Sequence, residues 1–215
     1  MPKLLTDPDI DPQQWQALID RSFYATWFQT PEAYQFYEAN KEEMNPFAIG
    51  VEEDGHLAGV IVGYTTQEKN PIKQYFTCRS IIIGGPLLDE HISNDALSAL
   101  LLAAKRVTQN SIYVETRNFH NYSHWRELFE TCGFLYQPHY DIHVHCNATH
   151  TMGEQRIRQV KKAVKNGTEI CEAQSEQEIR DWYRILSQLY RTRVRTPLFS
   201  EEFFMQFYRE GVGKY

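Results

Sequence analysis

Phe47–Glu53 (FAIGVEE), Asp54-Gly55 and Leu57–Tyr64 (LAGVIVGY) place two apolar runs on either side of an Asp-Gly pair. That arrangement predicts a hairpin, because Asp-Gly tolerates the positive φ angles that a two-residue turn demands. After a Lys-Asn-Pro loop, Gln74–Ile83 (QYFTCRSIII) reads as a third strand, so three antiparallel strands are expected. Gly84-Gly85-Pro86 ends the third.

On the C-terminal side, Ser93 or Asn94 is placed to cap a helix from Asp95 to Gln109, whose leucines and alanines imply burial on most faces. A strand is predicted at Ser111–Thr116 (SIYVET). A helix follows at His120–Cys132, with Trp125, Leu128 and Phe129 on one side and Gly133 as its stop. Strands at Phe134–Gln137 and Tyr140–His145 close the unit. On the N-terminal side, Asp11-Pro12 opens a short helix to Arg21 that aligns Trp15, Leu18 and Ile19, and Thr30-Pro31 opens a second, to Asn40. The order is helix, helix, three strands, helix, strand, helix, two strands. It defines an α/β (α+β) class with a mixed sheet flanked by helices and a first domain at residues 1–148.

The 215 residues carry 28 acidic and 22 basic side chains, four cysteines and 13% aromatics, a composition that excludes a disordered tail or a fibrous repeat. A net charge of −6 excludes a surface built throughout for nucleic acid and leaves room only for a local basic patch. Cys78, Cys132, Cys146 and Cys171 show no C-x-x-C spacing and are read as reduced thiols of a cytoplasmic protein. The N-terminus, MPKLLTDPDIDPQQW, has no secretory pattern, and the most apolar run, Ala96–Ala104, falls far short of the roughly 20 residues that cross a bilayer. No membrane span is expected.

Residues 149–215 open with a basic helix at Glu154–Asn166 (EQRIRQVKKAVKN) stopped by Gly167, then a strand at Thr168–Ala173. Ser175-Glu176-Gln177-Glu178 is a capping box that launches a helix to Thr192, and Ser200-Glu201-Glu202 starts one more. These elements have no visible sheet to bury them, although an amphipathic element needs a partner layer. The expectation is a second domain that stops early, as in a fragment or a shortened form of a longer protein.

The element order over 1–148 resembles the GNAT acyltransferase fold, and Arg156–Pro197 (RIRQVKKAVKNGTEICEAQSEQEIRDWYRILSQLYRTRVRTP) resembles the opening of a second such unit. The pairing resembles the Fem-type (FemA, FemB, FemX) aminoacyltransferases. In that family two GNAT-like units stand in tandem, and the second follows an Arg/Lys-rich helix ending in Gly, here Arg156, Arg158, Lys161, Lys162, Lys165 and Gly167. The resemblance implies transfer of an amino acid from aminoacyl-tRNA to the peptide of a peptidoglycan precursor, with amide-bond formation, by a chain that is catalytically silent if it stops early. A CoA-binding GNAT unit carries a pyrophosphate loop after its fourth strand. Gly84-Gly85-Pro86-Leu87-Leu88 is read as standing there, and the proline removes one amide, so no cofactor is expected. Fem-type enzymes also use a lysine on the early helix for the precursor's phosphates, whereas Pro31–Asn40 has no basic residue.

A donor and an acceptor that both carry phosphates need fixed positive charge, best supplied by arginine forks. Arg193 and Arg195, with Arg191, and Lys161 and Lys162 on the basic helix are the dense supply and the candidate substrate contacts. Arg117 and Tyr122 sit where a strand hands over to a helix and are also candidate substrate contacts; a structural alternative pairs Arg117 with Glu115 and uses Asn118 as a cap. His139, Asp141, His143 and His145 share a strand face, but a tetrahedral site needs ligands from a second element, so no metal is expected. His120 and His124 lack an H-E-x-x-H pattern. The catalytic residue is not identifiable from the sequence. The alternatives are a CoA-dependent GNAT N-acyltransferase and a non-catalytic binding module on an eroded fold, the latter forming a homodimer through the C-terminal tail.

Overall fold

The computed structural model describes residues 2–68, 70–140 and 152–211. The chain divides into two units, Met1–Pro138 with Glu202–Tyr215, and His139–Glu201.

The first unit is built on one mixed sheet. Its strands are β1 (Lys3–Thr6), β2 (Met44–Glu53), β3 (His56–Thr66), β4 (Arg79–Gly84), β5 (Leu87–Leu88) and β6 (Tyr113–Asn118). They run in the order β1-β2-β3-β4-β6, with β5 paired to β3. The Asp54-Gly55 hairpin forms as expected, with φ of 51° and 83° at its two turn residues. β4 and β6 are parallel, in register from Arg79 opposite Tyr113 to Gly84 opposite Asn118. β1 has no counterpart in the sequence reading. Four residues with a single buried side chain carry little alternation, and the strand owes its existence to the ladder offered by β2.

Helix α4 (Asn94–Val107) covers one face of the sheet. It buries Leu97, Leu100 and Leu101 against Ile49, Ile61 and Ile82, and Trp125 and Phe129 extend this core. Helices α1 (Pro12–Arg21) and α2 (Pro31–Ala39) lie on β2 and β3, with the Tyr37 and Tyr64 rings 4.9 Å apart. Asp11 and Thr30 cap them as the sequence predicts.

Two predicted strands of this unit need correction. Residues 74–77 belong to helix α3 (Pro71–Thr77), because the Asn70 side chain accepts the Ile72 and Lys73 amides and Pro71 presets the first helical φ. Phe134–Gln137 is not a strand: the Phe134 N–H bonds back to the Phe129 carbonyl at 2.9 Å, closing the end of α5 (Arg126–Thr131). The remaining predicted strand, Tyr140–His145, has Tyr140 in irregular chain and otherwise lies outside the described residues.

The second unit contains α6 (Glu154–Lys165), α7 (Glu176–Leu189) and a π-helical turn, Tyr190–Val194. Thr168–Ala173 is irregular rather than a strand: the Thr168 amide closes α6 on the Ala163 carbonyl, and the described residues of this unit offer no ladder to join. Ser175 caps α7 by accepting the Glu178 amide.

The last helix, α8 (Glu201–Gly211), finds the partner layer that the sequence did not reveal. Phe203 and Phe207 meet the Phe36 ring of α2 edge-on at 5.3 and 5.8 Å, and Met205 is 1% exposed. Burying a methionine completely and then truncating it leaves a cavity as well as a lost transfer energy, so Met205→Ala is expected to cost about 2–4 kcal/mol. A fall of the urea midpoint at unchanged slope would show this, whereas an unchanged midpoint would mean that α8 is not part of the first unit's core.

Candidate functional site

The sheet opens at Gly84-Gly85-Pro86. Gly84 and Gly85 adopt φ of 87° and 85°, a region that L side chains rarely enter. The chain therefore leaves β6 at the Gly84–Asn118 pair and returns to β3, where Leu87 and Leu88 pair with Val60 and Gly59. A Cβ on Gly85 would lie 2.6 Å from Asn118 Oδ1 and 2.9 Å from Tyr122 Oη. The carbonyls exposed by this kink are used internally. The fully buried Gln29 donates from Nε2 to the Gly85 carbonyl at 2.9 Å, and Tyr122 Oη donates to the Pro86 carbonyl at 2.7 Å. Gln29 is itself fixed by Thr26 N and Thr26 Oγ1, both donating to its Oε1. Burial raises the Tyr122 phenol above its usual range, so it remains a donor.

Gly84–Leu88, read from the sequence as standing in place of a pyrophosphate loop, thus form the kink and β5. The segment that enters α4 is Asp89–Ser93, where the amides of Asp89, His91, Ile92 and Ser93 are engaged. His91 N donates to Asp89 Oδ1, Ile92 N to the Asp89 carbonyl, and Ser93 N to Glu53 Oε2. Ser93 Oγ donates to Glu53 Oε1 while accepting from Ala96 N. Glu53 holds its carboxyl below the usual range because Ser93 supplies it with a side-chain and a backbone hydrogen bond. Asp89 is held low despite partial burial, by the His91 amide and by Arg21, whose Nε lies 2.6 Å away. Glu53, Asp89, Glu90 and Asp95 bring four carboxylates to the start of this helix, and Glu53 takes the Ser93 amide.

The face of β4 and β6 beside α2 carries the polar residues. Strand alternation places Arg79, Tyr113, Glu115 and Arg117 on that face together with Tyr64. Arg117 lays its guanidinium along Glu115, Nε to Oε1 at 2.8 Å and Nη2 to Oε2 at 3.3 Å, and this contact raises its affinity for its proton. Arg79 Nη1 donates to Tyr113 Oη at 3.4 Å. Tyr64 is buried and its phenol is raised by desolvation, against the opposing pull of Arg117 and Arg79. Beyond the strand end, Phe119 meets Phe28 at 5.8 Å and His120 meets Phe23 at 5.0 Å.

Of the sequence-predicted residues, Arg117 is exposed on this face, whereas Tyr122 is buried in the kink. Arg193 and Arg195 lie in the second unit, exposed on and just after the π-helical turn; Arg195 has φ of 58° and its N–H bonds to the Tyr190 carbonyl at 2.8 Å. Arg195 lines a shallow, open groove of about 400 Å³ with Tyr183, Ser187, Tyr190, Arg191 and Thr196. Lys161 and Lys162 are exposed on α6. Among the described residues, none of Arg191, Arg193, Arg195, Lys161 and Lys162 has a carboxylate within ion-pair distance, and no group of three or more His, Cys, Asp or Glu gathers for a metal. Cys78, Cys132 and Cys171 are free thiols, the first two buried; Cys146, Asp141, His143 and His145 lie outside the described residues. No helix among the described residues is long and apolar enough to cross a membrane. Glu53, Gln29 and Arg79 escaped the sequence reading. Only Gln29 carried a signal, as a polar side chain within an aromatic run.

No family model matches the chain, and neither does any curated protein. Among solved structures, it is similar to FemX, with a TM-score of 0.54 and 12% identity over 97% of this chain and 54% of that one. It thus spans about half the length of FemX. A Trypanosoma brucei acetyltransferase gives a TM-score of 0.46 at 8% identity, covering 67% of this chain and 100% of its own. An aminoglycoside acetyltransferase from an uncultured soil metagenomic sample gives 0.46 at 12% identity, covering 69% and 97%. The fold is GNAT-like: a mixed sheet flanked by helices, with a parallel pair that parts at a kink.

The Glu53 contact has a measurable consequence. A carboxyl held low by folding contributes stability that is present above its unfolded pKa of about 4.3 and is lost as pH falls through its folded value. Glu53→Gln is expected to lower stability at pH 7 by about 1–2 kcal/mol, as for hydrogen bonds to a charged group. It should also flatten the acid limb below about pH 4.5. Urea midpoints from pH 7 to pH 3 for both proteins test this, and parallel pH profiles would refute it.

Proposed function

We propose that this chain belongs to an N-acyltransferase of the Fem type, which moves an amino acid from aminoacyl-tRNA onto the peptide of a peptidoglycan precursor. The observation that carries the proposal is the distribution of charge between the two units, with Glu53 held on the Ser93 amide at the entrance to α4 in support. The first unit holds 12 basic and 20 acidic residues, and the second 10 basic and 8 acidic, so the cations suited to a nucleic-acid donor concentrate away from the acidic sheet unit. Likeness to FemX over nearly the whole chain supports the same choice.

Attack of an amine on an activated ester needs little beyond proton removal, alignment and stabilisation of the developing oxyanion. Arg193, Arg195, Lys161 and Lys162 supply phosphate contacts to the donor. The nucleophile in that chemistry belongs to the acceptor rather than to the protein.

The test is binding by the full chain. Aminoacyl-tRNA is expected to bind with an affinity that falls steeply with salt. Replacing Arg193 and Arg195 together by alanine should reduce the slope of log K against log salt by about 2. Acetyl-CoA is expected to leave the melting temperature unchanged at millimolar concentration. A ligand present at about 100 times its Kd would add about 2.7 kcal/mol, a shift that is easily seen. Stabilisation by acetyl-CoA with no retention of tRNA would overturn the proposal in favour of a CoA-dependent N-acyltransferase.

A further inference from the structure

The geometry points to a carboxylate-binding site on the sheet face beside α2, where Arg79 takes a carboxylate of the acceptor and the hydroxyls of Tyr64 and Tyr37 close on it. This site rests on the amide-forming function proposed above and adds the group by which the sheet unit holds the acceptor. Tyr64 of β3 and Tyr37 of α2 are 4% and 3% exposed, with their rings 4.9 Å apart. Neither hydroxyl has a hydrogen-bond partner among the described residues. Every side-chain nitrogen or oxygen sealed from solvent among those residues does have one, so both phenol oxygens reach an opening. The Tyr64 phenol also raises that of Tyr37, which places the two oxygens near each other. Two side chains buried over nearly all their area thus bring unused polar ends together. Tyr122 differs, because its buried phenol is already bonded to the Pro86 carbonyl.

The charges around the two phenols select the ligand. Burial raises both above their usual range, so they stay protonated and can donate to an anion. The charged groups that act on the Tyr64 phenol are Arg117, Arg79 and Glu115. Arg117 and Glu115 lie against each other at 2.8 Å and largely cancel, which leaves Arg79. Arg79 uses one of its five donors, on Tyr113 Oη at 3.4 Å, and has no carboxylate within ion-pair distance among the described residues. A single uncompensated guanidinium presents a planar fork that matches a carboxylate. A phosphate dianion would meet one free cation and the Glu115 carboxylate beside it, a poorer balance of charge. The buried rings lower the dielectric around the fork and strengthen the contact. Fixing the acceptor at its carboxylate limits where its amine can stand, the kind of alignment from which an amide-forming step gains most.

The experiment follows amide NMR shifts of the full chain on titration with a pentapeptide that carries one lysine and one glutamate. The comparison peptides are its C-terminal amide, the form with glutamine in place of glutamate, and the form with both changes. One of the two single changes is expected to weaken binding by about tenfold, and which one it is distinguishes a chain-end from a side-chain carboxylate. Arg79→Ala should abolish that preference and Arg79→Lys keep part of it. Tyr64→Phe and Tyr37→Phe are expected to leave the melting temperature unchanged, because neither hydroxyl is bonded within the fold, yet to weaken the parent peptide by about tenfold each. If all four peptides bind alike, or if the two Tyr→Phe variants lose stability without losing peptide affinity, the carboxylate site is overturned, while the transferase proposal, read from retention of aminoacyl-tRNA, stands. Binding of aminoacyl-tRNA with no binding of any peptide would also overturn the site. A carboxylate preference without retention of aminoacyl-tRNA would keep the site and remove the transferase reading.

Discussion

Two successive residues at positive φ, followed by a proline, turn the chain out of β4 and onto β3, and the layout around the site follows from that turn. A side chain at either glycine would face a steep conformational penalty, and at Gly85 it would also run into Asn118 and Tyr122. The kink exposes carbonyls that a helix or a ladder would otherwise satisfy. Gln29 and Tyr122 reach in from two different parts of the chain to take them. Each is buried and bonded at its polar end, so the kink is tied to two remote parts of the chain. An extended ligand that needed the same carbonyls would have to displace a fully buried amide side chain and a desolvated phenol.

The same turn determines how the chain enters α4. A helix N-terminus attracts anions through its free amides and its dipole, and in a nucleotide-binding protein that attraction serves the ligand. Here it serves the fold. Glu53, at the end of β2, is brought to Ser93 by the hairpin, and its carboxylate takes both the amide and the hydroxyl of the cap. Arg21 answers Asp89 from α1, with a second donor on the Leu57 carbonyl. Electrostatic features that are separate in sequence therefore form one network joining α1, the first hairpin and α4. A resident carboxylate thus takes the Ser93 amide and hydroxyl and ties the first hairpin to the start of α4.

The hairpin, the two early caps and α4 were legible because each has a local cause: a turn that needs Asp-Gly, a cap that needs Thr or Asp before Pro, an apolar face at helical spacing. Other elements depend on partners remote in sequence. β1 is four residues whose pairing is decided by β2, and α8 looked unsupported until Phe36 proved to be its partner. The error at Gln74–Ile83 had a different origin. Tyr75, Phe76 and Thr77 favour strands, but the Asn70-Pro71 start outweighs them over one turn, and they are left on an exposed helix. At Phe134 a helix-end bond replaced a ladder bond. Arg117 was legible as a charge at a strand-to-helix junction, whereas Arg79 became visible only when the parallel register placed it opposite Tyr113. Glu53 was invisible for a related reason: its role depends on Ser93, 40 residues away.

Under the proposed transfer the nucleophile would belong to a substrate, and Cys78 and Cys132 are buried rather than presented. The sheet unit holds 20 acidic and 12 basic residues, whereas the second unit holds 8 acidic and 10 basic. The arginines after α7 and the lysines Lys161 and Lys162 of α6 have no carboxylate within ion-pair distance among the described residues, so their charge is not neutralised locally. A polyanionic donor, if the proposal holds, would meet these cations away from the carboxylates of the sheet unit, and the division of sign between the units is what would separate the two partners of such a reaction.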